Sequence, residues 1–308
     1  MPKLLTIFGV TGQQGHALAR YILDTRPLRS TFTLRGVTRD VSKPAAVALK
    51  DEGVDIVEAD MNTRPTLDKA VADSDVVFAM TNFWDRCSAE VDIAQGKAIA
   101  DAAVDAGVSQ IIWSSLPSVS KMSEDEKVRV EHFETKAQVE EYIRTLDIKS
   151  TFFMPGWFMQ NHVSILKPTK VDDGTYVFSM PWTPDTELPL IDIRDTGKYL
   201  APALLDPDFY HGKRLTCATA FYTLSDMVDT WTRITGTTVK LCVPQNVDDH
   251  AVLSQPPKHE GVNATAHIMQ YGYFGPTGKD DLMWTISQLA EQLTSWEDFV
   301  RKQEPRFV

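Results

Sequence analysis

Three glycines set immediately after a short apolar run restrict what this chain can fold into. Residues 4–8 (Leu-Leu-Thr-Ile-Phe) read as a buried strand, and Gly9-Val10-Thr11-Gly12-Gln13-Gln14-Gly15 follows at once. Residues 13–25 then carry Ala17, Leu18, Tyr21 and Ile22 at helical spacing. Glycine permits a tight turn and lets backbone N–H groups approach a pyrophosphate closely, and a helix N-terminus adds the positive end of its dipole. A glycine-rich turn that only joins strand to helix would use the same residues. What favours a nucleotide site is position: the loop lies at the first strand–helix junction, and more such pairs follow.

Those pairs are legible along the first half. Residues 32–37, 54–57, 76–80, 111–113 and 151–154 read as further strands. Ser42 is placed to cap a helix through Leu49, and residues 89–106 form a long alanine-rich helix that Gly107 stops. Residues 123–146 read as one charged helix, opened by Ser123 and Glu126 as a capping box. Such alternation predicts the α/β class, a Rossmann-type doubly wound parallel sheet covered on both faces. Residues 1–156 are expected to form this nucleotide domain. Residues 157–308 are expected to form a smaller substrate or partner lobe, partly interleaved with the sheet. Gly174, Pro181, Pro184 and Pro189 interrupt that second half, and helices are expected over residues 194–205, 224–234 and 282–300, the first starting near Asp192.

The end of the second strand bears on which nucleotide binds. An NAD site places Asp or Glu there for the ribose 2′-OH, whereas this chain has Thr38-Arg39 with Lys43 four residues on. Arg39 offers a planar fork to a 2′-phosphate, which selects NADP; Asp40 leaves a ribose-hydroxyl contact open. Asp60-Met61 is placed for the adenine edge. Thr81-Asn82-Phe83 ends the fourth strand, where the nicotinamide ribose is expected. Gly9, Thr11, Gly12, Gln13, Gln14 and Gly15 would surround the pyrophosphate. Ser114 and Ser115 follow the fifth strand, placed to polarise a carbonyl or imine or to cap the strand end.

Several of these segments resemble the NmrA-like group of atypical short-chain dehydrogenases. They are the Gly9–Gly15 loop, Thr38-Arg39, Thr81-Asn82-Phe83-Trp84, Gln95-Gly96-Lys97 and His132-Phe133-Glu134-Thr135-Lys136. The resemblance is specific from Leu4 to about Phe158 and looser to the C-terminus. It implies a Rossmann fold, NADP or NAD, and a small C-terminal lobe. Its members divide: some are regulators or sensors without dehydrogenase chemistry, others reductases acting on quinones, dyes, phenylpropanoids and fungal natural products. Typical short-chain dehydrogenases use Ser, Tyr and Lys, with Tyr four residues before Lys. Here His132 stands in place of Tyr before Lys136, and residues four apart share a helix face. The resemblance implies that Lys136 holds the nicotinamide ribose and that the Pro155–Asn161 loop packs on the nicotinamide, with Pro155 and Phe158 against it. His132 is a candidate proton donor near neutral pH, though a packed helix residue would fit the same pattern. With Ser115 these are the candidate catalytic groups, and Trp84, Trp157, Asn161 and Trp182 the candidate substrate pocket. Cys87 could be a redox-sensitive thiol, but a buried structural thiol is the expected reading.

Composition narrows the function classes. The net charge is -11, from 31 basic and 42 acidic side chains, which disfavours direct nucleic-acid binding and suits a basic protein partner. The 7 histidines show no ligand spacing, so no metal is expected. Only 3 cysteines and no signal-peptide core after Met1-Pro2-Lys3 point to a reducing, cytoplasmic setting, with the nucleus also compatible. No apolar stretch is long enough for a membrane helix. The expected function is an NADP(H)-dependent oxidoreductase acting on a bulky apolar small molecule with C=O, C=N or activated C=C, as in natural-product biosynthesis. The alternative is a non-catalytic NADP(H) sensor that regulates a protein partner.

Overall fold

A computed structural model describes residues 2–125, 129–243, 264, 267–268 and 270–303. The first half alternates strand and helix: β1 (Lys3–Phe8), α1 (Gln13–Asp24), α2 (Arg26–Thr31), β2 (Phe32–Thr38), α3 (Pro44–Asp51), β3 (Asp55–Glu58), α4 (Arg64–Val71) and β4 (Val76–Ala79). It continues with α5 (Ala89–Asp105), β5 (Gln110–Ser114), α6 (Val119–Ser123), α7 (Glu131–Ile143) and β6 (Lys149–Pro155). The second half adds β7 (Trp157–Phe158), β8 (Thr169–Lys170), β9 (Tyr176–Ser179), β10 (Glu187–Ile191), α8 (Thr196–Leu205), α9 (Pro207–Tyr210), β11 (Arg214–Cys217), β12 (Ala220–Thr223), α10 (Leu224–Thr235) and β13 (Val239–Cys242). Helices Gly278–Ser287 and Trp296–Gln303 follow.

The central sheet has seven strands in the order β11-β6-β5-β4-β1-β2-β3, every neighbouring pair parallel. Its central strands are covered on both faces: β4 is buried at all four positions and β5 at all five. Residues from α1, α2, α3 and α8 pack on one face, and residues from α4, α5 and α7 on the other. The chain runs outward from β1 through β2 and β3, then returns to β4 on the other side of β1. That reversal opens a crevice beyond the carboxyl ends of β1 and β4, which is where open α/β sheets bind ligands.

The second half is not a separate layer. β11 extends the central sheet beside β6, and α8 packs against α1. Two three-stranded sheets, β12-β10-β7 and β13-β9-β8, build the rest, around a core that includes Phe178, Trp231, Trp296 and Phe299.

Three helix boundaries depart from the sequence reading. The region read as one helix over residues 123–146 is two helices: α6 ends at Ser123, Glu124 turns left-handed at φ 54°, and α7 starts after Val130 without a side-chain cap. The Ser123 hydroxyl donates back to the Ser120 carbonyl and so closes α6 instead of opening a new helix. Glu126, the other half of the expected capping box, lies outside the described residues. The helix read over 282–300 is likewise broken after Ser287, because Thr294 is drawn out to donate its N–H to the buried Asp195 carboxylate at 2.6 Å. α3 begins at Pro44 with Lys43 as its cap position, since Ser42 is spent on Asp40 through both its N–H (2.9 Å) and its hydroxyl (2.5 Å).

Candidate functional site

The glycine loop lies at the crevice. Gly9 takes φ +66°, and Gly12 donates back to its carbonyl at 2.8 Å, so the chain reverses within four residues before α1 begins. A Cβ on Gly15 would stand 2.5 Å from the Gly9 carbonyl oxygen, so only glycine lets α1 start this close to β1. No side chain caps α1 at Gly12, and no acid occupies its first turn. Its leading N–H groups and dipole are thus left for an anion. Gly12 and Gln13 are exposed, Thr11 is half-buried against Thr38, and Gln14 accepts from the Ser114 hydroxyl at 2.7 Å. That last bond ties the loop to the end of β5.

The other predicted cofactor residues line the same edge of the sheet. Thr38 ends β2, Arg39 follows it, and Lys43 is exposed just beyond. The Asp40 carboxylate is held by Ser42, which keeps its pKa below the ordinary carboxylate range. Asp60 is exposed and accepts from the N–H (2.9 Å) and the side-chain amide (2.8 Å) of Asn62, beside half-buried Met61. Thr81, only 3% exposed, and Asn82 follow β4, and Phe83, Trp84 and Asp85 form a single 3-10 turn. Arg39 is not free. Its guanidinium pairs with Asp85, one arm at 3.2 Å and the other closer.

Lys136 is the most constrained group at the site. It is 8% exposed and donates to both Asp92 oxygens (2.7 and 2.9 Å) and to the Thr81 hydroxyl. Burial lowers its pKa from the ordinary lysine value, and Asp92 opposes that shift. The α7 backbone is fixed at the same point, because the Trp113 indole donates to the Lys136 carbonyl at 3.0 Å. His132, one turn earlier on α7, lies 5.0 Å ring-to-ring from Trp84 and 6.1 Å from Phe83. The structure therefore brings Thr81, Phe83, Trp84, His132 and Lys136 together. Asp92 completes this group and was missed in the sequence reading. The available signal was an acid inside an alanine-rich helix whose Gly96, Ile99 and Ala100 are buried.

Other residues depart from expectation. Ser115 is fully buried and donates to Glu140 at 2.6 Å, and Glu140 also takes Arg144 (2.8 Å) and Arg214 (2.6 Å). That hydroxyl is committed to a buried ion cluster and offers nothing to a substrate. Trp182, expected in a substrate pocket, is 3% exposed within the core of the second half, edge-on to Trp157 at 5.4 Å. Trp157 donates its indole N–H to His162 at 3.1 Å, and the Asn161 carbonyl accepts from Ser164 (3.3 Å) and Leu166 (2.8 Å). Cavities of about 450 and 760 Å³ open elsewhere in the second half and at the β11 edge, and none of Trp84, Trp157, Asn161 or Trp182 lines either. Pro155 closes β6 and Phe158 packs on the core beneath α1 and α8. Cys87 is exposed rather than buried, in a left-handed conformation at φ 48°. Among the described residues no group of three or more His, Cys, Asp or Glu could hold a metal ion, and no helix is long and apolar enough to cross a membrane.

Comparison with known proteins bears on this arrangement. An NmrA-like oxidoreductase of Aspergillus campestris is 30% identical over 258 residues, covering 77% of this chain and 74% of its own. The structure of NmrA, a negative transcriptional regulator solved in complex with NADP, superposes with a TM-score of 0.79 at 20% identity, over 99% of this chain and 96% of that one. Triphenylmethane reductase of Citrobacter sp., complexed with NADP(H), superposes at 0.76 and 18% identity, over 97% and 99% of the two chains. The model of the NmrA-like family matches residues 1–300, and the chain belongs to that family.

Proposed function

We propose that the protein is an NADP(H)-dependent oxidoreductase that acts on a bulky, largely apolar small molecule carrying C=O, C=N or an activated C=C. The observation that carries the cofactor reading is the uncapped, acid-free start of α1 behind a loop in which a Cβ at Gly15 would strike backbone. The cofactor-bearing NmrA and triphenylmethane reductase structures and the oxidoreductase names of the fungal relatives support it. In this reading Gly9 to Gly15 hold the pyrophosphate, Arg39, Thr38 and Lys43 the 2′-phosphate, and Asp60 and Met61 the adenine side. Thr81, Asn82, Phe83 and Lys136 hold the nicotinamide ribose, and Pro155 and Phe158 the ring.

When bound, the nicotinamide supplies the hydride chemistry. The chain's residues orient and shield it. Lys136, gripped by Asp92 and Thr81, is a rigid donor at the end of β4. The His132 ring lies tilted 5.0 Å from that of the exposed Trp84, which makes it the group placed to deliver a proton.

Two observations favour a second reading, a nucleotide sensor that binds a regulatory protein. No tyrosine stands four residues before Lys136, and the Ser115 hydroxyl is consumed by Glu140. The separating experiment is NADPH absorbance against a panel of apolar ketones, imines, enones and quinones. Oxidation of NADPH by any of them supports the enzyme. Tight NADPH binding with no oxidation, and no NADP+ reduction by matching alcohols and amines, overturns it. The sensor reading then predicts a protein partner whose capture changes with NADPH.

A further inference from the structure

The partner of Arg39 has a consequence for cofactor choice. Arg39 directly follows β2, whereas Asp85 closes the turn that follows β4, so their ion pair spans the crevice between the ends of two non-adjacent strands. Both arms of the guanidinium are on one carboxylate. That same fork is what a 2′-phosphate would need. We propose that Asp85 is a specificity-determining counter-ion: it holds Arg39 until a ribose 2′-phosphate displaces it, so NADP(H) releases the Phe83–Asp85 turn and NAD(H) does not. This rests on the reading that Arg39 faces the ribose 2′ position.

The turn is built to pass on such a release. Phe83 is anchored at 2% exposure, and Trp84, beside it, is 54% exposed with its ring 5.0 Å from that of His132. The turn is held by three backbone bonds, Asp85 N–H to the Asn82 carbonyl at 3.1 Å and the Arg86 and Cys87 N–H groups to the Phe83 carbonyl at 3.3 and 2.8 Å. It then leaves through Cys87 in the left-handed region, which a residue with a Cβ adopts at a cost. Asp85 is therefore the polar anchor of the Phe83–Asp85 turn, whose exposed Trp84 packs beside the candidate proton donor. An exposed ion pair is by itself weakly stabilising, so a doubly charged phosphate can win the guanidinium from it. The displaced carboxylate still repels that phosphate, so wild-type affinity for NADP(H) is set below what Arg39 alone would give.

Calorimetry with NADP+ and NAD+ on wild type, Asp85→Asn and Arg39→Ala tests this, together with tryptophan emission of wild type and Trp84→Phe. The oxidised nucleotides are used because they do not absorb where tryptophan emits. Asp85→Asn is expected to bind NADP+ about three- to tenfold tighter, with NAD+ within about twofold of wild type. Saturating NADP+ should shift wild-type emission, saturating NAD+ should not, and the shift should vanish in Trp84→Phe. If Arg39→Ala weakens NADP+ binding but Asp85→Asn leaves it unchanged or weaker, Arg39 keeps its role and Asp85 has none in specificity. Equal emission shifts with both nucleotides overturn the released turn. An Arg39→Ala variant with wild-type NADP+ affinity overturns the Arg39 assignment and the proposal with it.

Discussion

At the scale of single residues, the cofactor reading turns on one charge and one missing side chain. A hydrogen bond to a charged group is worth about 1.5–3 kcal/mol, and each 1.4 kcal/mol is a factor of ten. Arg39→Ala should therefore weaken NADPH binding about ten- to a hundredfold in a calorimetric titration and leave NADH nearly unchanged. Gly12→Val puts a branched side chain at the exposed turn where backbone should meet phosphate, beside the Gly9 carbonyl at 3.2 Å from its Cβ. It should abolish binding of both nucleotides while circular dichroism shows a folded protein; wild-type affinity in that variant would remove the loop from the site. Arg39 and Gly12 were legible by their position relative to a strand end, and Lys136 by its four-residue spacing from His132 and by the family resemblance. Ser115 was not. It also follows a strand, but its hydroxyl turns to a carboxylate 25 residues later in α7, and no local pattern reports that contact.

At the scale of elements, the site depends on how α5 and α7 lie across β4 and β5. Asp92 from α5 and Lys136 from α7 meet where both are almost fully buried. Removing one partner of such a pair leaves an uncompensated buried charge and costs about 3–5 kcal/mol. Lys136→Met and Asp92→Asn should each lower stability in urea, and the double variant should be much less destabilised than the sum, since the two changes share one interaction. Additive losses would show that the pair is not coupled. Lys136→Ala, where it folds, should lose cofactor affinity and turnover together. His132→Ala should keep affinity and lose about a hundredfold or more in turnover if it delivers the proton. The strands of the first half and the α1, α5 and α8 helices could be read from periodicity, because each presents one long apolar face or run. The division into α6 and α7 and the break at residues 288–295 could not. Both follow from side-chain bonds, Ser123 to Ser120 and Thr294 to Asp195, that override helical patterning.

At the scale of the whole molecule, the second half serves as both sheet edge and lobe. Four-residue β11 was not legible as a strand, since Arg-Leu-Thr-Cys is short and half polar, and its place beside β6 comes only from tertiary pairing. The lobe's core encloses His162, fully buried among Phe178, Trp231 and Trp296, and burial pushes its pKa from 6.5 down to about 3. The fold needs the neutral imidazole, so below pH 6.5 the unfolded chain binds more protons and stability falls as pH falls toward 3. His162 alone should account for about 2 kcal/mol lost between pH 6.5 and about pH 5. His162→Gln, which keeps an acceptor for Trp157, should be less stable near pH 8 but lose less over that interval, as chemical denaturation at each pH would read; parallel slopes would contradict the buried neutral histidine. All of this scaffolding converges on the crevice at β1 and β4, and the central claim is that the crevice holds a nucleotide bearing a 2′-phosphate. The most direct measurement is calorimetric titration of the wild-type protein with NADPH and with NADH under identical conditions. NADPH is expected to bind at least tenfold tighter; tighter binding of NADH, or no binding of either, would contradict a crevice that selects a 2′-phosphate.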